Sequence, residues 1–249
     1  MPDIALLQAL LPDTPLRAYA ETTSTNADAR AWLLAGAPHG SLVVADRQSS
    51  GRGRLGRAFV SQAGGLYMSL VLKSDLPAGV LTTLCAVAVR RAVAALDGPA
   101  LDIKWVNDLQ HRGKKVCGIL CEGVWAGDRL LGVIAGIGLN VCQTSFDPAL
   151  AEIAAALYPD GRPPAPLARY ATEITRQVLS MLPLAPAHMA EYRRACLTLG
   201  QTVQWRQGDA VRTGVARAVD DAGALLIDMA AGPVTLTAGE VSVRPLALD

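Results

Sequence analysis

Residues 41–57 read SLVVADRQSSGRGRLGR, an apolar run followed by a loop with three glycines and three arginines in its last seven positions. The apolar run is typical of a buried strand. Glycine lets a backbone approach a ligand closely, and arginine offers forked, permanently charged donors for carboxylate and phosphate oxygens. The pattern predicts a mobile loop that closes over an anionic ligand. A solvated basic turn and an arginine-rich nucleic-acid arm are the alternatives.

The composition indicates a globular protein whose basic residues act locally. The chain has 249 residues, 51% hydrophobic and 18% charged, enough for one large domain or one large and one small domain. A net charge of +1 gives no global electrostatic case for DNA or a membrane surface. No signal peptide is recognisable, and Arg90 and Arg91 interrupt the most apolar stretch, so we expect a cytoplasmic protein. The cysteines at 85, 117, 121, 142 and 196 are expected to be buried or bystander thiols rather than a zinc site.

Residue periodicity predicts an α+β fold in which a mixed or antiparallel sheet packs with helices. Helices are predicted at 1–12, 27–35 and 78–96, with two or three more over 149–198 around a proline-rich loop at 159–166. Strands are predicted at 16–20, 41–47, 65–73, 101–105, 115–124 and 129–141, the last two as an antiparallel hairpin. Short β-like runs follow at 202–206, 210–219, 224–229, 234–236 and 240–243. We therefore expect a catalytic domain over residues 1–198 and a small β-barrel over 199–249.

Two polar segments stand at the ends of predicted elements. Ser24-Thr25-Asn26 precedes a helix, where free backbone N–H groups could bind a polar head group, although ordinary capping explains it as well. Lys104-Trp105-Val106-Asn107-Asp108 follows a strand. Its lysine could hold an anion, and its amide and carboxylate could hold Mg²⁺ or a phosphate, although Asn-Asp is also common in plain turns.

A third segment places a lysine in an apolar strand. Lys115 is costly to bury there unless it meets an opposite charge. Gly118, Gly136 and Gly138 leave the surface of two neighbouring strands without side chains, so a flat ligand could lie against the sheet. The alternative interpretation of these glycines is a bulge or close strand packing.

Together these segments resemble the biotin protein ligases (biotin–[acetyl-CoA-carboxylase] ligases). The shared series is Ser-Thr-Asn, Gly-Arg-Gly-Arg-x-Gly-Arg, Lys-Trp-x-Asn-Asp, Lys-x-x-Gly-Ile-Leu and Gly-x-Gly-x-Asn, and the resemblance runs from about Tyr19 to the C-terminus. It implies a class II aminoacyl-tRNA synthetase-like catalytic domain with a C-terminal SH3-like barrel. It also implies a group I ligase, without the DNA-binding domain of the repressor members. Val106 stands where the family usually has proline, and Phe59 where it often has tryptophan.

The resemblance implies a role for each matching position. Lys115 and Arg54 would be the catalytic residues, and Asp108 would bind Mg²⁺. Biotin would contact Ser24, Thr25, Asn26, Gln48, Gly51, Arg52, Arg54, Lys115 and Gly118. ATP would contact Arg54, Arg57, Lys104, Asn107, Asp108, Lys115 and Asn140.

The activity implied by the resemblance is ATP-dependent ligation of biotin to a specific lysine of a biotin carboxyl carrier protein, by way of biotinyl-5′-AMP. The substrates would be biotin and ATP, with Mg²⁺, and the protein would be a monomer or weak homodimer. The loop at 49–64 would order over the adenylate. A lipoate or octanoate ligase-type acyltransferase and a non-catalytic biotin-adenylate sensor are the alternatives.

Overall fold

The computed structural model describes residues 3–207, 210–237 and 244–245. The helices are α1 Ile4–Leu10, α2 Thr25–Leu34, α3 Ala78–Ala95, α4 Pro148–Ala151, α5 Leu167–Met181 and α6 Met189–Ala195, with 3₁₀ turns at Arg54–Gly56 and Leu182–Leu184. The strands of the larger sheet are β1 Leu16–Tyr19, β2 Leu42–Ala45, β3 Gly65–Leu72, β4 Asp102–Lys104, β5 Asp108–His111, β6 Lys114–Ala126 and β7 Arg129–Asn140. The smaller sheet contains β8 Thr202–Gln207, β9 Ala210–Val219, β10 Leu225–Asp228, β11 Val234–Leu236 and β12 Arg244–Pro245.

The larger sheet is mixed, as predicted. Its strand order is β1-β2-β3-β7-β6-β5-β4. β1 and β2 pair in parallel, and every other neighbouring pair is antiparallel, including the predicted β6–β7 hairpin. Strand β5 was not predicted, because turn residues flank these four positions on both sides and mask so short a strand.

The two faces of the larger sheet are covered differently. Helices α3 and α5 pack together, and α3 packs against β6 and β7 on one face. By length and composition α3 could cross a membrane, but 67% of that window is buried in the core. On the other face α2 covers only part of the sheet, where Leu33 packs with Val71 and Ile134. The rest of this face is left open to a cavity.

The smaller sheet is antiparallel, with the order β11-β10-β9-β8-β12. It confirms the predicted runs over 202–206, 210–219, 224–229 and 234–236. The strand predicted at 240–243 lies outside the described residues, and closure of the sheet into an SH3-like barrel stays a prediction.

The segment after α4 corrects one prediction. Two or three helices were expected over about 149–198 around the loop at 159–166, but α4 ends at Ala151 and the chain continues in an irregular, extended course. Lys115 N donates to Ile153 O at 2.8 Å, and Ala155 N donates to Lys115 O at 2.9 Å. These long-range bonds to β6 take the place of helical ones, so tertiary pairing overrides helix propensity here. The helical prediction holds again at α5 and α6.

The cysteines carry free thiols, and Cys85, Cys117 and Cys196 are buried. Burial raises the pKa of the Cys196 thiol, and that of Cys142 as well. High thiol pKa values disfavour the reactive thiolate. The burial of these cysteines is consistent with a structural role and not with a reactive one.

Candidate functional site

A cavity of about 840 Å³ lies on the open face of the larger sheet. It is bounded by the start of α2, the loop after β2, the turn between β4 and β5, strands β6 and β7, and residues 146–154. The predicted site residues that line it are Ser24, Thr25, Asn26, Gln48, Arg52, Arg54, Arg57, Lys104, Asn107, Asp108, Lys115, Gly118 and Asn140. Residues from five separate segments of the sequence therefore meet in one place.

Gly51 is the predicted site residue that does not line the cavity. A methyl group at Gly51 would lie 2.3 Å from Phe59 O and 2.7 Å from Ser61 Oγ. Phe59 N also donates to Gly51 O at 2.8 Å. Gly51 thus allows the two arms of the loop to meet, and its contact with biotin stays a prediction.

One end of the cavity is lined by neutral polar side chains, and the hydrogen-bonded network to which they belong also includes the carboxylate of Glu122. Thr25 N and Thr25 Oγ1 donate to Gln48 Oε1 at 2.8 and 3.1 Å. Ser69 Oγ lies 2.8 Å from Thr25 Oγ1 and 2.7 Å from Asn26 Oδ1. Asn26 Nδ2 donates to Glu122 Oε2 at 2.7 Å. Ser24 occupies the N-cap position without a side-chain capping bond. The polar residues at this helix start therefore face a shared network, and we call this region the head-group end.

The floor beside the head-group end is made of glycines. A methyl at Gly136 would stand 2.1 Å from Asn26 Oδ1. Methyls at Gly118 and Gly138 would stand 2.9 and 2.5 Å from ring carbons of Phe59. Glycine at these three positions therefore lets side chains lie directly on the sheet, and the flat ligand expected there stays a prediction. In the structure the flat group on two of the glycines is the Phe59 ring.

The other end of the cavity carries charge, and we call it the nucleotide end. Lys115 Nζ lies 2.6 Å from Asp108 Oδ1, so this lysine meets the opposite charge that its position in an apolar strand requires. Arg54 Nη1 donates to Asn107 Oδ1 at 3.1 Å. Burial lowers the pKa of the Arg54 guanidinium, and the nearby Asp108 carboxylate works in the opposite direction. Arginine nevertheless keeps its charge at neutral pH.

Hydrogen bonds hold the turn that carries Asn107 and Asp108 in place from two sides. Asn107 Nδ2 donates to Ile119 O, and Ile119 N donates to Asn107 O, both at 2.9 Å. Behind it, the indole of Trp105 donates to Gly223 O at 3.0 Å, and Tyr192 Oη donates to Val106 O at 3.0 Å. The Trp105–Val106 peptide bond is cis. The C-terminal sheet thus contributes, through the turn beside β10, to the placement of the nucleotide end.

Asn140 is engaged by the protein itself. Its Nδ2 donates to Ala155 O at 3.2 Å, and its Oδ1 accepts from Gln143 Nε2 at 3.0 Å. Gln143 also donates to the hydroxyl of Tyr67 at 3.2 Å, and burial raises the pKa of Tyr67 to about 12. Asn140 therefore ties the end of β7 to the segment after α4, and its contact with ATP stays a prediction.

Several site residues were not predicted from the sequence. Ser69 and Glu122 belong to the head-group network, and each is a polar residue inside an apolar strand, a signal that could have marked them. Phe146, Leu150 and Ile153 also line the cavity, and the last two fall within residues 149–198, where helices were predicted. Their role depends on the long-range pairing with β6, which local sequence does not reveal.

The nucleotide end fits Mg²⁺ bound together with a nucleotide. Within residues 3–207, 210–237 and 244–245, no group of three or more His, Cys, Asp or Glu side chains could hold a metal ion on its own. Mg²⁺ at nucleotide sites takes one or two carboxylates and completes its shell with phosphates and water. The Asp108 carboxylate, next to a cation and in reach of the cavity, suits that partial role.

Comparisons with known proteins agree with this architecture. Residues 18–140 match the biotin/lipoate A/B protein ligase family, and residues 198–244 match the biotin protein ligase C terminal domain. The bifunctional ligase/repressor BirA of Bacillus spizizenii is 49% identical over 127 residues, which cover 49% of this chain and 39% of that protein. The match thus spans well under half the length of that relative.

Two further matches extend over nearly the whole chain. A biotin–[acetyl-CoA-carboxylase] ligase of Paracoccus denitrificans is 34% identical over 242 residues, covering 89% of this chain and 98% of that protein. The solved biotin protein ligase from Aquifex aeolicus, in complex with biotin and ATP, superposes with a TM-score of 0.77 at 28% identity. The superposition covers 93% of this chain and 99% of the Aquifex chain.

The fold and the site define a biotin/lipoate-type ligase domain followed by a small β-rich C-terminal domain. Because the likeness to the Paracoccus ligase is both full-length and above 30% identity, the finer assignment follows as well. The chain belongs to the biotin protein ligase family.

Proposed function

We propose that this protein activates biotin with ATP and transfers the biotinyl group to a lysine of a biotin carboxyl carrier protein of acetyl-CoA carboxylase. One observation carries the proposal: a single cavity joins a neutral, hydrogen-bonding end to an end with paired and clustered charges. Biotin has a neutral urea at one extremity and a carboxylate at the other. The cavity has the same order of chemistry along its length.

In the first step a carboxylate oxygen of biotin attacks the α-phosphorus of ATP. The bond to the bridging oxygen of the β-phosphate breaks, and pyrophosphate leaves. Two unit charges 4 Å apart repel by roughly 4 kcal/mol at an effective dielectric constant near 20, so the site must supply positive charge. Arg54 and Lys115 face the same part of the cavity and provide it. Fixed charges of this kind stabilise the transition state without reorganising.

The Lys115–Asp108 pair prepares the site for this step. Asp108 holds the ammonium group at the cavity wall before substrate binds. Asp108 would also hold Mg²⁺ that arrives with the nucleotide, and the ion would neutralise phosphate charge. Arg57, Lys104, Asn107 and Asn140 would complete the nucleotide side, and Arg52 would serve the biotin carboxylate side.

In the second step the neutral amine of the acceptor lysine attacks the acyl carbon of biotinyl-5′-AMP. An amide bond forms, the bond from the acyl carbon to the phosphate oxygen breaks, and AMP leaves together with a proton from the amine. No nucleophile from the protein is required. The mixed anhydride hydrolyses in water, so the loop at 49–64 would also shield it.

The head-group end supports biotin over lipoate. Thr25, Asn26 and Gln48 line the cavity there with hydrogen-bonding groups, and the buried Ser69 links Thr25 with Asn26. The urea of biotin supplies two donors and an acceptor, whereas the dithiolane ring of lipoate supplies neither. A buried site built for polar partners rejects an analogue that lacks them, because its own groups are left unpaired.

The decisive experiment measures the intact mass of a biotin carboxyl carrier domain after incubation with this protein and Mg-ATP. Biotin and lipoate are supplied in separate tubes. The expected result is one biotinyl adduct in the biotin tube and none in the lipoate tube. A lipoyl adduct would instead establish the sister activity. Hydroxylamine trapping of biotinyl-AMP, run in parallel, separates a wrong acceptor from a sensor that binds biotin but never activates it.

We further propose the domain boundary and the setting of the reaction. The sheets divide between β7 and β8, which supports a catalytic domain over 1–198 and a C-terminal domain over 199–249. The protein would act in the cytoplasm as a monomer or weak homodimer, without binding DNA. Light scattering across a range of concentrations tests the oligomeric state.

A further inference from the structure

We propose that Glu122 is a positioning residue: it sets the orientation of the Asn26 amide and thereby makes Asn26 an acceptor for a urea N–H of the substrate. The inference rests on the proposed function, because it concerns how that substrate's head group is recognised. The sequence motifs did not indicate Glu122, nor that one residue orients the amide while the other contacts the substrate.

The contact between the two residues is a short hydrogen bond in which only Asn26 can donate. Glu122 stands in β6, four positions after Gly118, and Asn26 stands in the first turn of α2 with 7% of its surface exposed. Asn26 Nδ2 donates to Glu122 Oε2 at 2.7 Å. An ionised carboxylate only accepts hydrogen bonds. If the amide turned over, Asn26 Oδ1 would face Oε2 with no hydrogen between two acceptors.

Ser69 contacts the other side of the Asn26 amide. Its Oγ is fully buried and lies 2.7 Å from Asn26 Oδ1 and 2.8 Å from Thr25 Oγ1. A hydroxyl can both donate and accept, so Ser69 is compatible with the orientation that Glu122 imposes but does not select it. With Asn26 Oδ1 turned towards Ser69, the hydroxyl is the donor in that contact. The Glu122 carboxylate is therefore the group that fixes the orientation of the amide.

With the amide in this orientation, Asn26 can offer a ligand a hydrogen-bond acceptor. Besides the carboxylate, the Asn26 amide nitrogen approaches Leu120 O at 3.4 Å, so its hydrogens point to β6. Asn26 Oδ1 has two lone pairs, of which Ser69 takes one. The oxygen lies directly over Gly136 on the cavity floor. Asn26 thus offers the cavity an acceptor, which suits a urea N–H and not a urea carbonyl.

The test compares two replacements of Glu122 in the full-length protein by titration calorimetry with biotin. Glu122→Met keeps the length of the side chain and removes the acceptor, and it should weaken biotin binding about tenfold or more, as expected for a hydrogen bond to a charged group. Glu122→Gln keeps a carbonyl acceptor and should restore binding to within about threefold of the wild type. Asp128→Ala removes an exposed carboxylate from the turn of the same hairpin and serves as the matched control.

A double-mutant cycle decides whether Glu122 acts through Asn26. In an Asn26→Ala background, Glu122→Met should cost less than about twofold, because the amide to be oriented is gone. The KM for ATP should stay within twofold throughout. An undiminished tenfold loss in the Asn26→Ala background, or equal losses for biotin and ATP, would overturn the positioning role.

The two levels of the proposal fail in different ways. If the wild-type protein bound no biotin, the proposed function would fall and the inference with it. If the wild type bound biotin and Glu122→Met bound it equally well, only the positioning role would be overturned.

Discussion

The two ends of the cavity solve different physical problems with different side chains. At the head-group end the neutral side chains of Ser24, Thr25 and Asn26 are at most 7% exposed, and hydrogen bonds link the last two to their neighbours, including one from Asn26 to the Glu122 carboxylate. At the nucleotide end the Lys115 and Asp108 side chains keep 32% and 27% of their surface exposed. Burying a hydrogen-bonded neutral group costs little, whereas burying a charge costs much. The neutral groups that would bind the head group can therefore be buried, while the charged groups remain partly exposed to solvent.

The largest expected effect comes from removing charge at the nucleotide end. Lys115→Ala should lower biotin-dependent pyrophosphate exchange by about 10³-fold, because it removes one of the two side-chain cations, Lys115 and Arg54, that face the reacting groups. Lys114→Ala is the matched control, since Lys114 Nζ donates to Ala151 O and does not line the cavity. Near-normal exchange by a folded Lys115→Ala protein would exclude the catalytic role of Lys115.

A second charge change should loosen the intermediate rather than stop its formation. Arg54→Gly removes a cation that contacts Asn107, so biotinyl-AMP should dissociate about 10- to 100-fold faster. Escaped adenylate should then label bystander lysines, which mass spectrometry of an added unrelated protein detects. Arg47→Gly, at an exposed position outside the cavity, should label no more than the wild type.

At the head-group end a single methyl group should separate the two substrates. Gly136→Ala would place a carbon 2.1 Å from Asn26 Oδ1 and displace that side chain. The KM for biotin should rise about tenfold, as for loss of one or two hydrogen bonds, with the KM for ATP unchanged. Gly118→Ala meets only the far ends of the Phe59 and Lys115 side chains and should cost less. A parallel rise in both KM values would show that the two ends are not independent.

Ligand binding should protect the loop that spans both ends. Biotin with ATP should slow tryptic cleavage after Arg52, Arg54 and Arg57 about tenfold, because cleavage needs an open loop and both ligands favour the closed one. Biotin alone should protect less. Equal cleavage rates with and without ligands would argue against a closing lid.

The smallest effect on activity concerns the scaffold behind the cavity. Burial lowers the pKa of His188 to about 4, with Arg91 and Arg193 adding to the shift. The unfolded chain, with an ordinary histidine pKa of 6.5, therefore binds more protons below that pH. Stability is full above pH 6.5 and falls as the pH drops towards 4, by up to about 3 kcal/mol.

Urea unfolding at pH 7.5 and pH 5 measures this loss. His188→Gln should flatten the pH dependence and leave ligase activity at pH 7.5 unchanged, since His188 lies outside the cavity. His39→Gln, at an exposed position, should keep the wild-type dependence. An unaltered slope in His188→Gln would assign the acid sensitivity to other groups.

Much of the fold could be predicted because local periodicity was strong. The apolar strands at 65–73 and 129–141 and the helix at 78–96 begin and end within one residue of their predicted bounds. Short or ambiguous segments could not be placed. β5 has four residues, and the segment after Ala151 makes backbone hydrogen bonds with Lys115 of β6 instead of continuing as a helix.

The chemical groups at the site can be identified from the amino-acid sequence. The spacing of glycine, arginine, lysine and Asn-Asp follows from local backbone needs and from the charges of the substrates, so it is visible in the chain. Tertiary structure alone decided how these groups are oriented. Asn26 and Glu122 are 96 positions apart, and the bond between them exists only because α2 packs on the sheet near β6. A hydrogen bond depends on distance and direction, and folding, not local sequence, sets both for residues so far apart.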